Sequence, residues 1–340
     1  MFMRKIDKSK TVVVTGASAG VGRAIAQRFA RDGARIGLIA RNEERLKAVV
    51  REVEEAGGKA LACPLDTADP DAIGAAAESI EAAFGPIDIW VNAAMVTIFA
   101  PVAEISPAEF KRATEVTYLG FVYGTMTALK HMKPRNHGVI VQVGSALAYR
   151  SIPLQSAYCG AKHAMVGFTD SLRSELIHDK SKVKIGVVHL PGVNTPQFDW
   201  ARNKLGKRPQ PVPPIFQPEV AAEAVHYMAL HPRREIWLTW STWKVMLGQM
   251  FAAGFLDHYL ASAAYSGQES GEPALDRPDN LFESVDGAYG AHGRFDAKAQ
   301  TESSQLKLAT HPVMTGAGIG LAGILLVAAV KASLRSSSSA

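Results

Sequence analysis

The sequence predicts an α/β protein built on a doubly wound parallel sheet of about seven strands, with helices on both faces and a C-terminal extension. Short β-branched runs alternate with longer segments of helical period from residue 11 to about 240. Several of the runs are almost continuously apolar, as parallel strands buried on both faces are. The intervening segments, such as RAIAQRFARDGA and EERLKAVVREVEEAGG, carry apolar stripes and end in glycine.

In chain order the strand candidates are TVVVTG, ARIGLIA, KALACPLD, IDIWVNAA, GVIVQVGS, VKIGVVHLPG and EIWLTW. The alternation breaks after Gly192. Residues 193–218, VNTPQFDWARNKLGKRPQPVPPIFQP, are rich in proline, basic and large apolar residues, and read as a substrate lid. The following TWKVMLGQMFAAGFLDHYL places Trp243, Leu247, Met250, Phe251, Gly254 and Phe255 at helical spacing. Its uncharged core, Val245 to Leu256, is too short to cross a bilayer. Packing in the core or at a subunit interface is expected there, ahead of a membrane-surface helix. The main domain is thus expected over 1–262, with a polar linker or loosely packed tail over 263–310.

Residues 311–335 contain HPVMTGAGIGLAGILLVAAV, where Gly318, Gly320 and Gly323 repeat a G-x-G-x-x-G spacing. A dinucleotide turn needs a strand before it and a helix and second strand after it; here a polar segment precedes, and too few residues follow. The uncharged stretch from Leu308 to Val330 is long enough for a hydrocarbon core, which takes about 20 residues. Gly316 and Gly320 add a small-xxx-small spacing, and Lys331 and Arg335 follow at once. A C-terminal transmembrane anchor is expected, with a docked apolar helix as the alternative.

The formal charge of +5 comes from 37 basic and 32 acidic residues spread along the chain, without a block of five like charges. No nucleic-acid surface is indicated. Cys63 and Cys159 are the only cysteines, which excludes a disulfide framework or a cysteine metal cluster, and no metal site is expected. The N-terminal MFMRKIDKSK lacks an apolar signal region, so the main body is expected in the cytoplasm.

Chemistry concentrates first in TVVVTGASAGVGRAIAQRF. Gly16, Gly20 and Gly22 sit between a strand and an amphipathic helix, where glycine permits a tight turn and lets backbone N–H groups approach a pyrophosphate. The turn residues Ser18, Ala19 and Val21 belong to the same expected cofactor site. The second strand ends IARNEER, with Arg41 and Asn42 where an NAD site usually carries an acid. A guanidinium there would pair with a 2′-phosphate, and Arg23 would add a second positive charge. NADP(H) is therefore preferred, with NAD(H) possible.

Tyr158 and Lys162, four apart in a helical segment, share one face. A phenol of ordinary pKa about 10 is a poor base at neutral pH. A nearby ammonium and a cationic nicotinamide would favour the phenolate. Ser145 ends the fifth strand, at the edge where such sheets bind ligands, and its hydroxyl would hold a substrate oxygen.

TGASAGVG, VNAA, GS followed by YCGAK, and LPGVNT resemble the short-chain dehydrogenase/reductase family over roughly residues 8 to 240. The resemblance implies a Rossmann-type domain, NAD(P) dependence, and interconversion of a secondary alcohol with its ketone or aldehyde. It implies Tyr158 as general acid/base, Lys162 on the nicotinamide ribose and lowering the tyrosine pKa, and Ser145 orienting substrate. Asp66, with Thr67 beside it, matches the adenine contact. Asn92 and Ala93 match the cofactor floor; Pro191, Gly192, Val193 and Thr195 match the loop over the nicotinamide. A homo-oligomer through the helix bearing Tyr158 and its neighbour is implied as well.

Two positions depart from the family. Ala94 stands where N-A-G is usual, and Thr117 stands at an asparagine whose backbone carbonyl holds a proton-relay water. Thr117 motivates the alternative of a dinucleotide-binding redox-sensing or scaffold protein with little turnover. The intact Ser145, Tyr158 and Lys162 favour the enzyme. The lid's Phe198, Trp200, Leu205, Ile215 and Phe216 point to a partly apolar, bulky substrate, whereas Arg202, Lys204, Lys207 and Arg208 would suit an acidic one or face solvent.

Overall fold

The apolar runs pair side by side. In a computed structural model describing residues 6–310, they form β1 (Thr11–Thr15), β2 (Arg35–Ala40), β3 (Lys59–Pro64), β4 (Ile87–Asn92), β5 (Val139–Ser145), β6 (Lys184–Leu190) and β7 (Glu235–Trp237). All pairings within this sheet are parallel, in the order β7-β6-β5-β4-β1-β2-β3. The direction of winding reverses between β1 and β4, which opens a crevice at the carboxyl ends of those strands. β7 is shorter than EIWLTW. The Thr239 hydroxyl bonds those of Ser241 and Thr242, and a helix begins at Trp240.

The helices are α1 (Gly20–Ala30), α2 (Glu43–Glu55), α3 (Pro70–Phe84), α4 (Pro107–Thr114), α5 (Gly120–Met132), α6 (Ser156–His178), α7 (Gln197–Trp200), α8 (Pro218–Leu230) and α9 (Trp240–Gln268). Local chemistry fixes several starts. The Asn42 side chain accepts the Arg45 N–H, Asp69 accepts from Asp71 and Ala72, and Ser106 with Glu109 forms a reciprocal capping box. Pro70, Pro107 and Pro218 occupy first turns, where the missing N–H costs nothing. One face of the sheet is sealed by Ile80, Met132 and Leu172 packed over Val13, Trp90 and Ile140. A five-residue π-helical turn, Glu115–Leu119, separates α4 from α5 and contains Thr117. Such turns shift the register of a helix locally and recur at functional sites.

α9 is not core. Its backbone leaves helical geometry at Ala252, and Arg150 bonds both Gln249 and Asp257, which a straight helix would hold two turns apart. Near the bend, Met250, Phe251 and Phe255 are 68%, 82% and 70% exposed, which excludes packing in the core of this chain. The kink lifts this apolar tip off the domain while the flanking halves keep contact.

The tail differs more. Residues 269–302 were expected as part of a loose linker, yet Glu269–Pro273 pairs antiparallel with Lys207–Pro209 of the lid. Leu281 is fully buried in a cluster with Val96, Ile98 and Val116, and Phe295 packs with Phe99, Phe198 and Ile215. These few apolar side chains lack any helical or strand period, but each enters a gap between lid and sheet edge. A unit beginning at Ser303 is separate and contains one described helix, α10 (Ser304–Thr310). Among the described residues no helix is long and apolar enough to cross a membrane. The expected anchor or docked helix over 311–335 lies outside the described residues.

Glu109 ties α4 to the lid through ion pairs of 2.8 Å with both Arg202 and Lys204. Burial pushes its carboxyl up, but the hydrogen bonds from Lys204, the Ser106 backbone and Arg202 outweigh this and hold it at about 2. Because the folded pKa is depressed, the stabilisation is complete above the ordinary carboxyl range and is lost as pH falls toward 2. Glu109→Gln should therefore cost about 2 kcal/mol at neutral pH. Denaturant titrations of both proteins should show that gap shrinking steadily below pH 4.5.

Candidate active site

The carboxyl ends of β1, β2, β5 and β6 open on one cavity of about 420 Å³. At its head, Gly16 has φ +70° and Gly20 φ +57°, both left-handed. A Cβ on Gly22 would lie 2.2 Å from the Gly16 carbonyl oxygen, and one on Gly16 would lie 2.7 Å from the Ala94 backbone. Only glycine admits this approach, and Ser18, Ala19 and Val21 line the cavity beside it. The turn fits a dinucleotide phosphate, with one qualification: the Gly20 N–H donates to the Gly290 carbonyl.

Ser145, Tyr158 and Lys162 line the same cavity. β5 delivers Ser145 at its last residue, and α6 carries the other two on one face. Ser145 Oγ accepts the Leu147 N–H at 3.1 Å. Lys162 Nζ donates to the Val143 carbonyl at 2.7 Å, 4.2 Å from the centre of the Phe121 ring and 5.6 Å from that of Tyr158. Burial pushes the Tyr158 phenol up to about 12, against the lowering effect of Ser145. Burial pulls the Lys162 ammonium down to about 7. In the cofactor-free protein the ammonium alone does not bring the phenol into range; the expected effect requires the bound nicotinamide as well.

Thr117 is completely buried, and its hydroxyl donates to the Val96 carbonyl at 2.8 Å while accepting the Val96 N–H at 3.0 Å. Asn92 lies behind the cavity, bonded to Trp90, Thr125 and Gln142, and locks β4 to β5 and α5. Ala93, Pro191, Gly192, Val193 and Thr195 line the cavity, whereas Asp66 and Thr67 do not. Asp66 pairs with Arg112 and accepts the Ala68 N–H.

Arg23 departs from its expected role. Its guanidinium pairs with Glu52 of α2 and bonds the Tyr289 carbonyl, so its charge is already neutralised. Arg41 and Asn42 line the cavity as expected, but Arg41 donates to the carbonyls of Asn280 and Phe282 at 2.6 and 2.9 Å. Sequence reasoning missed Arg45, Asn280 and Ser284, and also Val245, Leu256 and Tyr259 of α9, all of which line the cavity. Arg45 carried a signal, one helical turn beyond Arg41. Asn280 and Ser284 carried none, lying in a segment without periodicity.

A glycine turn at the head of a doubly wound sheet, with its cavity at the switch point, defines a dinucleotide-binding α/β protein. Residues 10–205 match the family described as short chain dehydrogenase. "Uncharacterized oxidoreductase YxnA" of Bacillus subtilis is 32% identical over 95% of this chain and 91% of its own length. A fatty acyl-CoA reductase of Acinetobacter baylyi is 33% identical over 68% of this chain and 77% of its own. An alcohol dehydrogenase from the archaeon Thermococcus sibiricus, solved with 5-hydroxy-NADP, superposes with TM-score 0.58 and 26% identity over 67% of this chain and 95% of that one. A metagenomic short-chain oxidoreductase in complex with NADP gives 0.57 and 29%, over 67% and 96%. The chain belongs to the short-chain dehydrogenase/reductase family of NAD(P)-dependent oxidoreductases.

Lys162 also carries a stability cost. Its folded pKa is depressed, so the unfolded chain binds more protons between about 7 and 10.5, and stability rises with pH across that window. Lys162→Met should raise the melting temperature of the cofactor-free protein at pH 6, by about 2 °C or more, despite losing the bond to Val143. Thermal scans at pH 6 and pH 10 check this, the gain being smaller at the higher pH.

Proposed function

We propose that this enzyme is an NADP(H)-dependent oxidoreductase acting on a bulky, largely apolar carbonyl compound or the corresponding secondary alcohol. The observation that carries this reading is the shared cavity: Ser145, Tyr158 and Lys162 meet the glycine turn at one end and α9 side chains at the other. Ser145 holds the substrate oxygen, and Tyr158 exchanges a proton with it. When bound, the nicotinamide supplies or accepts the hydride. Lys162 is assigned to the ribose beside it, and its charge, once cofactor and substrate are seated, lowers the phenol. Burial keeps the phenol of the resting site protonated. The Thr117 hydroxyl is taken up by both backbone groups of Val96, so its backbone carbonyl, not its side chain, is the group assigned to the relay.

Leu147, Ile152, Val212, Val245, Leu256 and Tyr259 give the substrate end its apolar character. The lid cations are drawn away from this end: Arg202 and Lys204 pair with Glu109, and Arg208 with Asp199 and Glu272. That supports an apolar substrate over an acidic one, and the acyl-chain chemistry in the name of the Acinetobacter relative agrees. Residues 193–218 act as the lid of a catalytic unit that extends through residue 302. Exposed Met126 on α5 and Ile177 on α6 support self-association through those helices. A dinucleotide-binding protein without turnover would have no use for the tyrosine.

Tyr158→Phe should keep NADPH affinity and lose turnover by roughly a hundredfold or more. Steady-state rates with NADPH and a panel of long-chain and cyclic ketones and aldehydes, beside fluorescence titration, check both halves. Turnover that survives the substitution would assign the proton to another group. Arg41→Asp should shift cofactor preference toward NADH. Equal affinity of the unaltered protein for NADPH and NADH would remove the basis of the preference.

A further inference from the structure

Arg45 is buried among Trp200, Tyr289 and the carbonyls of residues 285–287. Its guanidinium carbon lies 5.1 Å from the centre of the Trp200 ring and 5.9 Å from that of Tyr289. One terminal nitrogen donates to the Val285 carbonyl at 2.6 Å, while Nε is buried without any partner. The side chain lines the same cavity as Arg41, in a residue only 7% exposed. Neither arginine has a carboxylate within ion-pair distance among the described residues. Neighbouring Arg23 and Arg112, by contrast, are paired with Glu52 and Asp66.

A buried guanidinium whose only partners are neutral carbonyls and ring faces carries an uncompensated charge, and that is costly without an anion. Burial lowers the pKa of Arg45, and Arg23 adds repulsion, against the pull of Tyr289 and Asp286. What holds it there is a strap, residues 279–290, laid over the dinucleotide end of the cavity. Asn280 receives Arg41, Leu281 receives Arg112, Val285 receives Arg45, Tyr289 receives Arg23, and the Gly290 carbonyl takes the Gly20 N–H. The strap also holds the lid: the Asn280 N–H donates to the Trp200 carbonyl, and Asp279 pairs with Arg202.

Resting on the NADP(H) reading above, we infer that Arg45 is a second specificity-determining residue for the 2′-phosphate, fixed for that role by the strap and by Trp200 of the lid. A doubly charged phosphate between Arg41 and Arg45 would supply an acceptor for the unpartnered Nε of Arg45 and for the donors Arg41 retains, matching the geometry guanidinium groups favour for phosphate. Tyr289 and Trp200 act as positioning residues, since they confine the guanidinium to the cavity wall.

The test is binding, read by fluorescence titration of the full-length protein with NADPH and with NADH, and by competition with 2′,5′-ADP and 5′-ADP. In the unaltered protein NADPH and 2′,5′-ADP should bind tighter than their unphosphorylated counterparts. Arg45→Gln should weaken NADPH and 2′,5′-ADP about tenfold or more, the loss of one charge-assisted contact, and leave NADH within about twofold. Arg45→Lys should recover part of that loss. Tyr289→Ala keeps every arginine and should narrow the same preference by loosening the clamp, so the inference stays testable if Arg45→Gln does not fold. Parallel weakening of NADPH and NADH in Arg45→Gln, or no change in either, would overturn the assignment of Arg45 while leaving the cofactor reading intact. Absence of preference in the unaltered protein would overturn the cofactor reading itself, and this inference with it.

Discussion

A parallel sheet covered on both faces leaves only its strand ends open, and here the glycine turn and the Ser145, Tyr158 and Lys162 side chains gather at one of them. Gly16 follows the end of β1, Arg41 that of β2, and Pro191 that of β6, while Ser145 closes β5. This constraint explains why residues far apart in the chain become neighbours without direct contact selecting them. It also explains the buried polar knot of Asn92, Thr125 and Gln142: the strands must hold register for their ends to align, and hydrogen bonds across β4, β5 and α5 enforce it.

Around that edge the electrostatics divides into two kinds of cation. Arg23, Arg112, Arg202 and Lys204 are neutralised by carboxylates and act as fasteners. Arg41, Arg45 and Lys162 face the cavity, and their direct partners are carbonyls or rings. Buried charge left in that state destabilises the resting protein and is relieved by an anionic or polar ligand, so binding and stability become linked. Fasteners hold the walls; the uncompensated charges define what the walls enclose.

The sheet was legible because its strands are continuous apolar runs and its helices carry stripes, both signals of simple period. The family motifs were legible because glycine, tyrosine and lysine have few reasons to recur at those spacings. Arg23 misled because sequence shows a charge but not its partner, and Glu52 lies a strand and most of a helix away. The tail was illegible for a different reason. Leu281, Val285 and Phe295 are fixed by gaps that exist only once the lid and sheet edge are in place. For the α9 aromatics the helical spacing was visible, but the break at Ala252, which turns them out of the core, was not.

The strap carries a consequence for the order in which the molecule assembles. Every strand of the sheet is available once Trp237 has been made, but Arg41 waits for carbonyls 239 and 241 residues further on, and Arg23 for one 266 residues on. Contacts so distant in sequence form late, because the chain between them must first be ordered by its own shorter-range pairings. During synthesis the sheet and glycine turn therefore come together with the adenosine end still open. Only the last part of the unit to emerge closes it, and a chain interrupted before that point would hold a finished scaffold around an unfinished site.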